Sequence, residues 1–198
     1  MSDVLLFVED AAQENFLGAM LTRLARESGL SLSLRIRSAR GGSARVLAEL
    51  ESFVRDAGRG KAPLPAGIVV AVDANCQGYN ARRKAALEMA GAYKELVIFA
   101  IPDPHIERWF LLDGEAFKAV LGQGCKAPAL KCEKGLYKSL LSQAVLATGV
   151  QPLLGGIEYA EDIVNEYHVQ RVADAEPSFG KFVAEFRAWV NQQRRQRS

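Results

Sequence analysis

The first half of the chain alternates apolar runs with segments whose apolar residues recur at helical spacing. Residues 4–8 (VLLFV) form a continuous apolar run, which is typical of a strand buried on both faces. In residues 15–26 the apolar side chains repeat three or four positions apart, which indicates a helix with one buried face. Residues 30–36 alternate apolar and polar side chains, as expected of a half-buried strand. This order of elements is typical of a parallel sheet covered by helices.

Further elements follow in the same order. Gly41 and Gly42 interrupt the pattern, and Ser43 is expected to be the N-cap of a helix that reaches Asp56. The remaining elements predicted for this half are a strand at residues 68–72, a helix at 81–93 and a strand at 95–101. Beyond Pro102 the pattern becomes helical, with helices expected at residues 106–112, 133–147, 158–167 and 179–192.

The pattern predicts a fold of the α/β class. We expect a Rossmann-like, mainly parallel four-stranded sheet flanked by helices, with a helical C-terminal elaboration. Residues 1–198 would form a single domain, in which residues 1–113 are the α/β core and residues 114–198 are the elaboration.

The composition and charge of the chain argue against several classes of function. The chain has 25 Lys and Arg against 23 Asp and Glu, a formal net charge of only +2, whereas a dedicated duplex-binding module is strongly basic. No G-x-x-x-x-G-K-[ST] loop is present, so the chain should not itself be an ATPase. No stretch of about 18 apolar residues occurs, and the apolar run near the N-terminus lacks the preceding positive charges of a signal peptide. We therefore expect a cytoplasmic protein with no membrane segment.

The pattern of the cysteines also indicates the cytoplasm, which is a reducing compartment. Cys76, Cys125 and Cys132 are odd in number and form neither a C-x-x-C pair nor a zinc spacing with the histidines. We expect all three to be free thiols in a reducing compartment.

Acidic residues follow two of the predicted strands. Glu9 comes directly after the first apolar run and Asp73 directly after the third, with Asn75 two residues further on. Ligands bind outside the carboxyl ends of parallel strands, and Mg²⁺ prefers oxygen ligands such as these. The competing interpretation is that Glu9 caps the following helix and Asp73 forms an Asx-turn.

Several short motifs resemble a known family. The segment VEDAAQENF at 8–16 looks like the opening Glu motif of Toprim domains of the OLD nuclease type, with Glu14 as its second glutamate, and VVAVDAN at 69–75 resembles their D-x-D motif. Four further segments resemble those of small stand-alone Toprim-like proteins encoded beside ATPases in phage-defence regions. They are the Gly41-Gly42 pair, PDPHIERWFLLD at 102–113, KCEKGLYKSLL and PSFGKFVAEF. The resemblance covers most of the chain.

The resemblance implies a Toprim-like fold and Mg²⁺- or Mn²⁺-dependent phosphodiester chemistry. It assigns Glu9 as general acid or base and metal ligand, and Asp73 as metal ligand. Two positions depart from the family pattern: Asn75 replaces the second aspartate of D-x-D, and Asp10 replaces the glycine after the first glutamate. We expect Asn75 to ligate through its amide oxygen and Glu107, or else Asp103, to supply the missing charge.

The alternative for Glu107 is structural, since it could pair with Arg108 or cap the short helix. His105 could reach the acidic centre as a ligand or proton carrier, or it could simply hydrogen-bond a neighbour in its loop.

Basic residues surround the same predicted edge. Lys134 is the residue that we expect to bind a substrate phosphate, with Lys131 and Lys138 as similar charges nearby. The residues predicted to contact a nucleic-acid backbone are Arg37, Arg40, Arg82, Arg83 and Lys84. A solvated face is the competing explanation for each of them.

Three functions are compatible with these features. The first is a metal-dependent nuclease, acting on DNA more readily than on RNA, with a role in phage defence and with an ATPase subunit or a second copy of the chain as partner. The second is a catalytically degenerate Toprim-like binding or regulatory subunit, in which Asn75 marks the lost site. The third is a phosphoryl-transfer enzyme that acts on nucleotides.

Overall fold

Four parallel strands form the centre of the protein, whose computed structural model describes residues 1–196. The strands are β1 (Ser2–Val8), β2 (Leu32–Ser38), β3 (Gly67–Ala71) and β4 (Val97–Ala100). Their order in the sheet is β2-β1-β3-β4, with Val4 opposite Gly67 and Val8 opposite Ser38. Because β1 and β3 are neighbours, the residues that follow them meet at one edge of the sheet.

Helices connect and cover the strands. The helices of the first half are α1 (Ala11–Glu27), α2 (Ser43–Gly58) and α3 (Tyr79–Ala90). Those of the second half are α4 (Ile106–Phe110), α5 (Gly114–Leu121), α6 (Leu136–Ala147), α7 (Ala160–Glu166), α8 (Val169–Ala175) and α9 (Pro177–Arg195). Short 3-10 turns occupy Asn75–Gln77, Gly91–Leu96 and Ile157–Tyr159.

Each face of the sheet has its own hydrophobic core, since alternate side chains of a strand point to opposite faces. Leu6 of β1 packs on one face with α1 and the helices of the second half, including the aromatic residues of α9. Phe7 packs on the other face with α2 and α3. The continuous apolar runs of β1 and β3 follow from this burial on both sides.

Helix α9 covers the β4 edge of the sheet. Glu185 accepts the backbone N–H of Phe99 at 3.0 Å, and the indole Nε1 of Trp189 donates to the carbonyl of Ala66 at 3.0 Å. Gly67 makes this approach possible, because a Cβ there would lie 2.8 Å from the Trp189 ring. The opposite edge, at the C-terminal half of β2, is exposed.

The predicted fold class is confirmed: the protein is an α/β fold with a parallel four-stranded sheet and a helical C-terminal part. Ser43 is not the N-cap of α2; Gly42 occupies that position and makes no side-chain cap, so Ser43 is the first helical residue. The helix expected at 81–93 ends at Ala90, because Gly91 adopts a positive φ of 53°. The short helices α5 and α8 were not predicted.

Within residues 1–196, no helix is both long enough and apolar enough to cross a membrane.

Candidate functional site

A pocket of about 430 Å³ lies at the carboxyl ends of β1 and β3. It brings together the predicted site residues Glu9, Asp73, Asn75, Glu107 and Lys134. The other residues of its lining are Asp10, Cys76, His105, Cys132, Gly135, Tyr137 and Lys138. A second pocket of about 430 Å³, beside α1 and α7, contains none of the predicted site residues.

Asp10 caps helix α1 and leaves Glu9 available to the pocket. The Asp10 carboxylate accepts the backbone N–H groups of Ala12 at 3.0 Å and Gln13 at 3.1 Å, as an N-cap residue does. Glu9 instead accepts the backbone N–H of Asp73 through Oε1 at 2.8 Å. The helix-capping role considered for Glu9 therefore belongs to its neighbour, and Glu9 links the end of β1 to the residue that follows β3.

The carboxylate of Asp73 is held from two sides. Its Oδ1 accepts a hydrogen bond from Gln13 Nε2 at 2.9 Å, and its Oδ2 lies 3.0 Å from Nδ1 of His105. The Gln13 amide oxygen in turn accepts the backbone N–H of Glu9 at 2.8 Å. Gln13 is only 1% exposed, so this amide is a buried connection between the two strand ends.

Sequence reasoning did not identify Gln13. The available signal was a polar residue on the buried face of α1, next to apolar Ala12 and Phe16. His105 does reach the acidic centre, as one of its two interpretations expected.

Asn75 adopts a left-handed backbone conformation, with φ of 50°, which asparagine tolerates better than most residues. Its N–H donates to the carbonyl of Pro104 at 2.9 Å, and its Nδ2 donates to the carbonyl of Asp73 at 3.3 Å. These bonds fix the turn after β3 against the loop that carries His105.

Glu107 is buried in the pocket wall beside a lysine. Its side chain is 3% exposed and its Oε1 lies 3.6 Å from Nζ of Lys138, which also lies 3.6 Å from Asp10. Glu107 does not pair with Arg108, which pairs with Glu176. The N-cap position of α4 is His105, which makes no side-chain cap, and the Glu107 carboxylate accepts its own backbone N–H in the first turn of this helix. The pocket lining includes Glu107 and does not include Asp103.

The packing of acidic groups changes their titration. Burial and the charge of Asp73 raise the pKa of Glu9 to about 7, and the same two causes raise the pKa of Glu107. The hydrogen bond to Asp73 raises the pKa of His105. The charges of Glu107 and Asp10 raise the pKa of Lys138 even though burial opposes them. Near neutral pH Glu9 can therefore either accept or donate a proton.

The arginines and the lysine predicted to bind nucleic acid lie outside the pocket lining. Arg37 lies over the rings of Phe7 and Phe53, at 5.9 and 5.3 Å from their centres, and Arg83 lies 4.7 Å from the centre of the Phe99 ring. Arg83 also lies 3.6 Å from Glu185. These two arginines thus have structural contacts. The positive charge of Arg82 acts on Glu9 and lowers its pKa, while Arg40 and Lys84 are exposed.

The expectation of three free thiols is wrong. Cys76 and Cys132 form a disulfide with their Cα atoms 5.5 Å apart, and only Cys125 is free. The two cysteines are 56 residues apart in sequence, so no local spacing could reveal the pair; the fold brings them together at the pocket. Burial raises the pKa of the remaining thiol, Cys125, to about 11, which makes it a poor nucleophile.

The donors of the pocket fit magnesium by chemical type. The oxygens of Glu9, Asp73, Asn75 and Glu107 are the hard ligands that this ion prefers. Burial is the largest cause of the raised pKa values of Glu9 and Glu107, and the negative charge of Asp73 is the second. Within residues 1–196, however, no three His, Cys, Asp or Glu side chains already stand as a ligand cluster. Binding would require Asp73 and Glu107 to rearrange relative to His105 and Lys138.

No protein-family model, curated protein or solved structure matches the chain. The resemblance to Toprim domains therefore rests on the short motifs alone.

Proposed function

We propose that the protein is a metal-dependent phosphodiesterase of the Toprim type that cleaves nucleic acid. One observation carries the proposal: Glu9, Asp73 and Glu107 share a pocket with Lys134 and Lys138 at the carboxyl ends of neighbouring parallel strands. Acidic groups with raised pKa values beside exposed lysines suit a substrate that has both a phosphate charge and a proton to be moved.

Each residue has a role in this proposal. Glu9 takes the proton of the attacking water and returns it to the leaving oxygen, from a position fixed by its bond to the backbone N–H of Asp73. Lys134 and Lys138 neutralise the phosphate that enters the pocket. Glu9, Asp73, Asn75 and Glu107 would hold Mg²⁺ or Mn²⁺, which supplies positive charge to the phosphoryl oxygens when bound.

DNA is the preferred polymer in this proposal, with RNA second. The exposed residues Arg40 and Lys84 would contact the backbone beyond the pocket, with the partly buried Arg82 closer to Glu9. We further propose a role in phage defence in the cytoplasm, with an ATPase encoded nearby or a second copy of the chain as partner. This location rests on the family resemblance, because the Cys76–Cys132 disulfide removes the argument from free thiols.

The test is the conversion of supercoiled plasmid to nicked circles with Mg²⁺, Mn²⁺ or EDTA. Glu9→Gln and Asp73→Asn should each lower the metal-dependent rate by about 10²-fold or more. Glu51→Gln is the matched control, because Glu51 is exposed on α2 and absent from the pocket lining. Equal rates for all four proteins would contradict the proposal. Parallel reactions with RNA and with mononucleotides identify the substrate class.

A second candidate is a binding subunit without catalysis. Asn75 at the second D-x-D position and the hydrogen bonds already made by Asp73 favour it. This candidate predicts stable association with the neighbouring ATPase and no metal-dependent turnover of any of the three substrates.

A further inference from the structure

An irregular segment forms one side of the pocket. Residues 122–135 connect α5 to α6 without helix or strand, and most of their side chains are exposed. The segment ends at Lys134 and Gly135, both of which line the pocket. The position of Lys134 therefore depends on what holds an irregular segment in place.

Two kinds of contact hold this segment. The buried Tyr137 hydroxyl accepts the backbone N–H of Lys131 at 2.8 Å and donates to the carbonyl of Ala129 at 2.9 Å, and Arg108 lies 3.4 Å from the carbonyl of Pro128. Beyond Lys131, the covalent bond of Cys132 to Cys76 ties the segment to the other side of the pocket. Cys76 belongs to the turn Asn75–Gln77, directly after Asp73 and Ala74.

We propose that Cys76 and Cys132 are a reversible thiol–disulfide exchange site that takes dithiol reductants and sets the position of Lys134 at the pocket. Both cysteines are exposed, and exposed disulfides are the ones that exchange readily. Cys125 differs from these two cysteines, because it is half-buried and its burial raises the pKa of its thiol.

The reaction balances as a two-electron exchange. A thiolate of the reductant attacks one sulfur of the Cys76–Cys132 bond, which breaks, and the leaving cysteine takes a proton. The second thiolate of the reductant then attacks the mixed disulfide and releases the other cysteine as a thiol. The protein gains two thiols, and the dithiol becomes a cyclic disulfide.

Reduction removes the tie at Cys132 and leaves the Tyr137 contacts in place. Residues 132–135 then gain freedom, and Lys134 no longer faces the acidic groups in one position. The effect on catalysis rests on the proposed function: the oxidised protein is the more active form, and reduction raises KM because a phosphate contact is lost.

The experiment compares oxidised protein with protein treated with dithiothreitol under native conditions. Alkylation and mass spectrometry should count one reactive thiol in the unfolded oxidised protein and three after reduction. Amide hydrogen exchange at Leu136, whose N–H donates to the carbonyl of Glu133 at 3.3 Å, should accelerate at least about tenfold on reduction, while α1 and the strands stay unchanged. Cys76→Ser and Cys132→Ser should show the fast exchange without reductant, and Cys125→Ser is the matched control that should behave as wild type.

The outcomes distinguish failure of the proposed exchange site from failure of the proposed nuclease activity. Any one of three results would overturn the site. These are three thiols before reduction, failure of dithiothreitol to open the bond in folded protein, or unchanged hydrogen exchange at the amide of Leu136. Alkylation and exchange as expected, with no cleavage in either state, would uphold the site and reject the nuclease. Cleavage with the same KM in the oxidised and reduced states would refute the proposal that the disulfide sets the position of Lys134. If a serine variant does not fold, wild-type protein reduced in its folded state provides the same comparison.

Discussion

Replacing Glu9 by Gln should stabilise the protein at alkaline pH. The pKa of Glu9 rises from 4.5 to about 7 on folding, so the folded state holds the proton more tightly than the unfolded state. The stability that this proton contributes is fully present below pH 4.5 and is lost as the pH rises through 7. A glutamine imitates the protonated acid at every pH and keeps an oxygen for the Asp73 backbone N–H.

The size of the effect follows from the shift. Each pKa unit corresponds to about 1.4 kcal/mol, so the full shift from 4.5 to about 7 sets an upper value of about 3 kcal/mol. Glu9 is only partly buried, and solvent screening reduces the expected value to about 2 kcal/mol. The gain of Glu9→Gln over wild type should grow by about 1.2 kcal/mol between pH 5 and pH 8, because part of the stabilisation is already lost between pH 4.5 and pH 5.

Urea unfolding in EDTA at pH 5 and pH 8 measures the gain, with Glu51→Gln as the exposed control. A gain that is the same at both pH values, or a variant less stable than wild type at pH 8, would refute the assignment of Glu9 as a destabilised buried acid. Added Mg²⁺ extends the test. At ten times its Kd the ion should stabilise wild type by about 1.4 kcal/mol and Glu9→Gln by clearly less.

Three further variants test other features of the structure. Gln13→Leu should lower the free energy of unfolding by about 2 kcal/mol, because Asp73 Oδ1 loses its donor and the backbone N–H of Glu9 loses its acceptor. A loss of less than about 0.5 kcal/mol, measured by urea unfolding, would contradict the buried bridge. Gly67→Ala should cost about 1–3 kcal/mol and change the near-ultraviolet circular dichroism of Trp189, which the new Cβ would strike; an unchanged spectrum and melting temperature would contradict this close approach. Cys76→Ser should cost about 4 kcal/mol, since the lost cross-link spans 56 residues; equal stability of this variant and oxidised wild type would argue against the bond.

The local pattern of the sequence was enough to predict the sheet and the acidic edge. The apolar runs before Glu9 and Asp73 could be recognised because β1 and β3 are buried on both faces and need no polar alternation. Parallel strands place their carboxyl ends at one edge, so the convergence of the two acids followed once the strands were neighbours. Helix α5 was missed although Asp113 at its N-cap and Gly122 after its last residue are boundary signals that the sequence contains. Helix α8 was missed although α7, also of 7 residues, was predicted, so length alone does not explain the difference.

The partners of the site residues were decided only by the tertiary structure. Gln13 meets Asp73 across 60 residues, Glu107 meets Lys138 from a different helix, and Cys76 meets Cys132 across 56 residues. Hydrophobic periodicity reports which face of a segment is buried, but it carries no information on which distant segment covers that face. The order β2-β1-β3-β4 and the path of residues 122–135 over the sheet edge supply that information, and neither has a local signature in the sequence.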